Sequence, residues 1–456
     1  MKVILDVIEM IEGRNVMSQK IKIFSLSTIL MISFFGSIGC SEKPKTIIEF
    51  LESTPGITFE EIGGDSIFQS TYKIMIEQPL DHNNPNGKKF TQKAYLSHLN
   101  EANPMAIITN GYDVGRNYTR EIARYLDANQ LFVEHRFFGE SKPDSMEWKY
   151  LTIEQAANDL HRITELFKNF YHNKWVSSGI SKGGQTTIFY RKFFPNDVVV
   201  SVPYVAPLNL AKEDPRLYDY LENKAGTREC RKKIIEFQRS VLSNRSAILP
   251  ILKKYADNKG LVFTYNDFET AFEYMVLEYS FSFWQWDGDC SKIPDNSASI
   301  KEIFDHVVEV SSMELFADAD MEKYSSFQYQ ANTEMGYYGF KIAPFKDLLK
   351  SITKDVGSEM SFPYRDVELV FNSKTVNDIN SWIQTHGNNI IYIYGELDAW
   401  SATAVDVSSH TNALKIVKKD GDHKTRIRNL PKEQQDLVFE KLEKWLELEV
   451  KRDLIF

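Results

Sequence analysis

At 456 residues the chain is long enough to bury a substantial core, either as one large domain with an insertion or as two domains. Its 43% hydrophobic and 26% charged residues are ordinary for a globular protein. A formal net charge of −9 offers nothing for a nucleic acid to bind, so that class of partner is set aside.

The N-terminus reads as a targeting segment. Lys20 and Lys22 precede an apolar run over residues 23–36, followed by Ser37-Ile38-Gly39-Cys40. A basic start, an apolar stretch too short to span a bilayer and small residues at its end make residues 1–39 an export signal. Cys40 directly after Gly39 resembles the lipobox of bacterial lipoproteins, in which cleavage exposes a cysteine that carries lipid, although Ser37 stands where that motif usually has Leu. The expectation is an exported protein anchored to a membrane through Cys40; plain secretion with Cys40 unmodified is the alternative. The start is open between Met1 and Met17, the latter giving a signal of more usual length. Cys230 and Cys290 remain, and outside the cytoplasm they can form one bridge or stay as an unpaired couple.

Residues 40–65 read as a polar N-terminal segment. Strand patterns over 71–77 and 90–99 then form an antiparallel pair joined through Asp81-His-Asn-Asn-Pro-Asn-Gly87, a dense turn cluster. A short apolar strand over 105–109 ends at Asn110-Gly111-Tyr112. Helical spacing follows over 116–128, then a strand over 131–134, and Thr152 opens a helix to about 171 with Glu154 in its first turn. A strand over 174–178, a helix ending at Pro195 and a strand over 198–205 complete this half. Strands alternating with helices mean βαβ units and a mostly parallel sheet.

The alternation stops over residues 207–386, where helical patterns dominate (228–242, 248–256, 268–279, 299–310 and 377–384). It resumes with strands over 390–394 and 413–417 and a closing helix over 432–451, which turns Leu437, Phe439, Leu442, Trp445 and Leu446 to the sheet. The chain is therefore expected to be an α/β sheet domain, residues 66–206 and 387–456, interrupted after its sixth strand by a helical cap over 207–386. Such a cap would roof a pocket at the C-terminal edge of the sheet.

Gly179-Ile180-Ser181-Lys182-Gly183 falls between a strand and a helix, the context of a nucleophile elbow. A serine hydroxyl is a weak nucleophile near neutral pH and needs an adjacent base, itself oriented by a carboxylate. In doubly wound hydrolases the order is Ser, acid, His, the last two on loops after late strands. Asp398, just past a strand and Gly395, is the candidate acid, with Glu396 as its neighbouring competitor. His423 directly follows the last strand, whereas His386 and His410 precede theirs, so His423 is the candidate base. The oxyanion would be received by the amide of Lys182 and one from Gly111 or Tyr112; the Lys182 side chain is expected to be exposed or paired. No histidine spacing suggests a metal, and no cofactor is implied.

Gln78-Pro79-Leu80-Asp81-His82, Glu134-His135-Arg136-Phe137-Phe138-Gly139-Glu140-Ser141 and Gly179-Ile180-Ser181-Lys182-Gly183-Gly184 resemble signatures of the secreted prolyl tri/tetrapeptidyl aminopeptidases. They are similar as well to those of the related lysosomal prolylcarboxypeptidase and dipeptidyl peptidase group. The likeness continues at Phe283-Trp-Gln-Trp286 and at Tyr329-Gln-Ala-Asn-Thr-Glu334-Met-Gly336, and spans roughly residues 65–445. The resemblance implies an α/β-hydrolase core with an inserted helical cap, a triad at Ser181, Asp398 and His423, and peptide substrates cut after proline near a free N-terminus. It transfers no amine-binding residue. A buried ammonium needs a carboxylate, and Glu334 and Asp287 are the candidates, ahead of Glu278. Trp284, Trp286 and Tyr329 are candidates to stack on a proline ring, with packing of the cap as their alternative use. The competing functions are an α/β-hydrolase esterase or lipase, and a non-catalytic surface-binding lipoprotein.

Overall fold

The computed structural model describes residues 46–286, 288–295, 297–452 and 454; Cys40 and Asp287 lie outside them. Nine strands form one sheet: β1 (Ile57–Ile62), β2 (Ser70–Pro79), β3 (Lys89–His98), β4 (Met105–Thr109), β5 (Asn129–Val133), β6 (Trp175–Ile180), β7 (Val200–Tyr204), β8 (Ile391–Gly395) and β9 (Leu414–Lys418). Their order is β1-β2-β3-β5-β4-β6-β7-β8-β9. The β1, β2, β3 and β5 ladders are antiparallel, and from β5 onward every pairing is parallel.

The helices of the first half are α1 (Ile47–Ser53), α2 (Glu121–Tyr125), α3 (Ile153–Phe167) and α4 (Lys182–Phe193). The insertion carries α5 (Pro215–Asp219), α6 (Arg228–Ser243), α7 (Arg245–Asn258), α8 (Phe268–Trp286), α9 (Ile300–Val310), α10 (Asp318–Lys323) and α11 (Ser325–Gln330). Two more, α12 (Lys374–His386) and α13 (Lys432–Leu446), flank β8 and β9.

The central strands are buried throughout and read as unbroken apolar runs, because helices cover both faces. The period of two still assigns faces. Ile107 and Leu131 turn to Phe167 and Tyr190 on one side, and Ile108 and Phe132 turn to Ile122, Phe439 and Leu442 on the other. A mostly parallel, helix-covered sheet with a serine turn between β6 and α4 is the α/β-hydrolase fold.

Several expectations change in detail. Residues 40–65 are not merely polar, since α1 and β1 lie there. Thr46 and Glu49 form a reciprocal capping box on α1. β1 is an edge strand in which half-buried Ile57 and Phe59 alternate with exposed Thr58 and Glu60, and a strand that buries one row of side chains looks polar on average. The insertion consequently follows the seventh strand. The helix expected over 116–128 shrinks to α2, and residues 113–116 and 118–120 before it line a cavity instead. In α13, Leu437 is 43% exposed while Val438 is buried. Helix α12, assigned to the cap from its spacing, sets Val376, Ile379 and Ile383 against Ile188, Ile390 and Tyr392 of the sheet layer.

The cap has a core of its own around Phe272, Tyr279, Phe283 and Trp284, and reaches the sheet domain through Ala399 and Trp400. A disulfide joins Cys230 in α6 to Cys290, 60 residues on. Among the described residues no helix is long and apolar enough to cross a membrane.

Candidate active site

At the junction of β6 and α4 the backbone turns through Ser181 with φ 57° and ψ −125°. A non-glycine residue held there costs about 1–3 kcal/mol and persists only when its surroundings enforce it. They do: the Ser181 amide donates to Tyr204 O at 2.9 Å, and Ser181 O accepts from the Gln185 amide at 2.9 Å. A Cβ on Gly179 would collide with the Gly183 and Thr109 backbones, so the strand and helix approach closely only because that side chain is missing. The Ser181 hydroxyl caps no helix amide, and the residue lines a cavity of about 660 Å³ between sheet domain and cap.

Asp398 and His423 reach the same place from the loops after β8 and β9. Asp398 is fully buried; one carboxylate oxygen accepts the Trp400 amide at 3.1 Å and the other lies 2.7 Å from His423 Nδ1. With Nδ1 engaged, Nε2 is the nitrogen left for a hydroxyl. The cap holds this loop as well, because the His423 amide donates to Gln285 O at 3.0 Å and the Trp286 ring stands edge-on to the imidazole at 5.2 Å. The competing groups point elsewhere. Glu396 accepts the Asp420 amide on the surface, His386 bonds Thr385 on the surface, and His410 is exposed.

Lys182 opens α4, so its amide lies outside the ladder of the helix. Gly111 packs so closely that a Cβ there would stand 2.5 Å from Lys182 Cβ and 2.7 Å from the Gly183 nitrogen. Neither Gly111 nor Tyr112 donates its amide to a backbone or side-chain acceptor among the described residues. The three amides are therefore available to an oxyanion, and Tyr112, but not Gly111, lines the cavity. The Lys182 side chain departs from expectation, being neither exposed nor paired. Its Nζ is buried without a hydrogen-bond partner among the described residues, 5.1 Å from the Phe138 ring centre and 5.9 Å from that of Tyr112. Burial drives its pKa well below the usual lysine range.

The other sequence motifs build the support. Glu134 accepts from the Val114 amide at 2.7 Å and from Ser141, and pairs with Lys93 at 2.9 Å. Arg136 pairs with Asp159, which also holds His82 at 2.7 Å. This buried network shapes the loop after β4 and meets the cavity wall through the Val114 amide.

The carboxylates expected for an amine fall in different places. Glu334 does not line the cavity; its carboxylate accepts the Ile153 amide at 2.7 Å and so caps α3, where unbonded amides and the helix dipole favour an anion. Trp284 is buried in the cap core beside Gly226 and Tyr329 packs on Trp148 at 5.1 Å, so neither faces Ser181. Trp286 does line the cavity. Glu278, ranked lower from sequence, lines it too: it is buried in α8 and accepts from Ser282 Oγ at 2.6 Å and from Tyr338 OH at 2.9 and 3.0 Å. Burial pushes its pKa up to about 7 against the pull of those hydroxyls. Asp320, another cavity carboxylate that the sequence reading missed, is raised by burial to about 6. The local sequence does not single out Glu278, because α8 also carries Glu269 and Glu273, and only the fold pairs those two with Arg245 of α7. Among the described residues the one group with metal-like spacing is His161, Glu165 and Asp197, in which His161 and Asp197 pair at 2.8 Å.

The profile of the PS-10 peptidase S37 family matches residues 42–447. A prolyl tri/tetrapeptidyl aminopeptidase of Streptomyces mobaraensis is 30% identical over 400 residues, covering 86% of this chain and 83% of its own. A probable serine protease of Arabidopsis thaliana is 22% identical over 442 residues, 85% and 86% of the two chains. The human lysosomal Pro-X carboxypeptidase is 30% identical over 99 residues, 19% of this chain and 20% of its own. Among solved structures, a proline iminopeptidase of Mycobacterium smegmatis aligns at 14% identity with a TM-score of 0.42, covering 82% of this chain and 99% of that one.

Proposed function

The chain belongs to the PS-10 peptidase S37 family and is a serine peptidase; we propose that it releases short peptides from the N-terminus of its substrates by cutting after proline. The observation that carries this reading is the Asp398–His423 hydrogen bond on the same cavity as a serine held at positive φ. Ser181 attacks the carbonyl while His423 takes its proton, and Asp398 fixes the tautomer and steadies the imidazolium that forms. The amides of Lys182 and of Gly111 or Tyr112 receive the oxyanion. His423 then hands the proton to the departing amine, and water, activated by the same imidazole, clears the acyl-enzyme.

Counting from the end of a peptide requires a grip on its free amine. Glu278 is the carboxylate placed for this, buried on the cap wall among Tyr337, Tyr338 and Ser282 and paired with no cation among the described residues. Trp286, beside His423, is the aromatic face available to the proline ring.

The reading includes export and a lipid on Cys40. The signal-like residues 1–39 motivate it, and the Cys230–Cys290 disulfide suits an oxidising compartment. Cys40→Ala should move the protein from the membrane fraction to the soluble one; unchanged fractionation removes the anchor from the reading.

Ser181→Ala should abolish turnover of proline-ended peptide amides and labelling by a fluorophosphonate while the fold stays intact. Activity within tenfold of wild type would overturn the assignment of Ser181. Hydrolysis of acyl esters with no turnover of the amides would make the protein an esterase.

A further inference from the structure

The cavity has a second charged region that the proposed chemistry leaves unused. Opposite the cap, the segment leading into α2 and the loop after His423 bring Arg120 and Arg426 to the cavity wall. Arg120 lies over Tyr118 at 4.3 Å and Phe132 at 4.8 Å, and its Nε is buried with no hydrogen-bond partner among the described residues. Arg426 lies over Tyr204 at 5.7 Å and donates to the carbonyls of His423 and Thr425 at 3.0 and 2.7 Å.

No carboxylate of the described residues is within 4.0 Å of either guanidinium. The nearby acid is Glu121, whose oxygens already accept the Ile427 and Arg428 amides at 2.9 and 3.3 Å. Two half-buried cations thus share one engaged anion. Burial lowers the pKa of Arg426 to about 10; the Glu121 carboxylate opposes the shift and the like charge of Arg120 adds to it. Desolvated guanidinium groups with no anion in direct contact are unfavourable, and an anion from outside would relieve them.

The position tells which part of a substrate comes here. The departing fragment must lie against the imidazole that protonates its nitrogen, and Arg426 is three residues beyond His423 on the same loop, bonded to its carbonyl. We propose that Arg120 and Arg426 form an anion subsite for a carboxylate of the leaving fragment, either its C-terminal carboxylate or an acidic side chain next to the scissile bond. The proposal rests on the peptidase reading for its orientation. It makes the cavity bipolar, with carboxylates on the cap and guanidinium groups beside the histidine, suited to a short peptide with both ends free.

The test uses Ser181→Ala protein, which binds without cutting, and calorimetry with Ala-Ala-Pro-Ala as free acid, the same peptide as its amide, and Ala-Ala-Pro-Asp amide. The free acid, the Asp amide or both should bind at least about tenfold tighter than the Ala amide, as a charge-assisted hydrogen bond warrants. Which of them gains identifies the source of the carboxylate. Adding Arg120→Gln should bring that ratio towards one with affinity for the Ala amide little changed, and Arg120→Lys should restore part of it. Arg426→Gln, read by the same ratio, covers the case in which the Arg120 variants misfold. Equal affinity for all three peptides, or a ratio that survives both Gln variants, overturns the subsite. Wild-type enzyme that cuts after proline without the preference would sink this inference alone. A preference in an enzyme that does not cut after proline would sink the peptidase reading and leave the subsite standing.

Discussion

Replacing Glu278 by Gln removes a charge while keeping an oxygen for Ser282 and Tyr338 to bond, so the cap wall should hold its shape. If the carboxylate receives the substrate ammonium, the variant loses one partner of a desolvated ion pair, which costs about 2–5 kcal/mol. That range corresponds to a drop in kcat/KM of roughly 30-fold to several thousand-fold. The lower end is expected here. The free carboxyl has its pKa pushed up to about 7, so near neutral pH about half of the wild-type protein must still ionise before the pair forms. The assay compares one proline-ended peptide with its N-acetylated form, in wild type and in Glu278→Gln. The loss should be confined to the free amine, since the acetylated peptide never made the contact. Equal losses on both peptides, or a loss below threefold on the free amine, would refute the assignment.

The same burial predicts a pH effect on stability. A carboxyl raised from 4.5 to about 7 favours the protonated form in the fold, so its contribution declines as pH rises between those values; Glu278→Gln should therefore gain stability relative to wild type from pH 5 to pH 8, and a constant difference in Tm would contradict this. Glu334→Gln should reduce turnover of free and acetylated peptides alike, because the residue caps α3; a loss specific to the free amine would return the amine site to Glu334. Converting Cys230 and Cys290 to Ser together should lower the stability of the cap by about 2–4 kcal/mol, read as the midpoint in denaturant, and an unchanged midpoint would argue against the bridge as a stabilising tie.

That Ser181, Asp398 and His423 come together was legible because each candidate residue is announced by its own local pattern. A short apolar strand ends, a turn follows, and the residue stands at a fixed offset. The parallel core was legible for a similar reason, since β4, β6, β7 and β8 are short apolar runs separated by helical spacing. Strand β1 was missed because an edge strand buries only one row of side chains, so its pattern of Ile57, Phe59 and Ile62 is diluted by exposed Thr58, Glu60 and Glu61.

The walls of the pocket were decided only by the tertiary structure. Glu334 and Glu278 are both acidic residues in aromatic stretches of the insertion, and nothing local separates them. The packing does: Glu334 is turned to the amides at the start of α3, nearly two hundred residues earlier, while Glu278 is left facing the cavity with no cation paired to it among the described residues. Helix α12 carried an apolar stripe that suited either the cap or the sheet, and only the partner surface settled which. Arg120 and Arg426 lie some three hundred residues apart and become one charged region because α2 and the loop after β9 meet on the same face. Sequence periodicity reports the face that an element buries; it carries no information about what that face is buried against, which depends on pairing between distant segments.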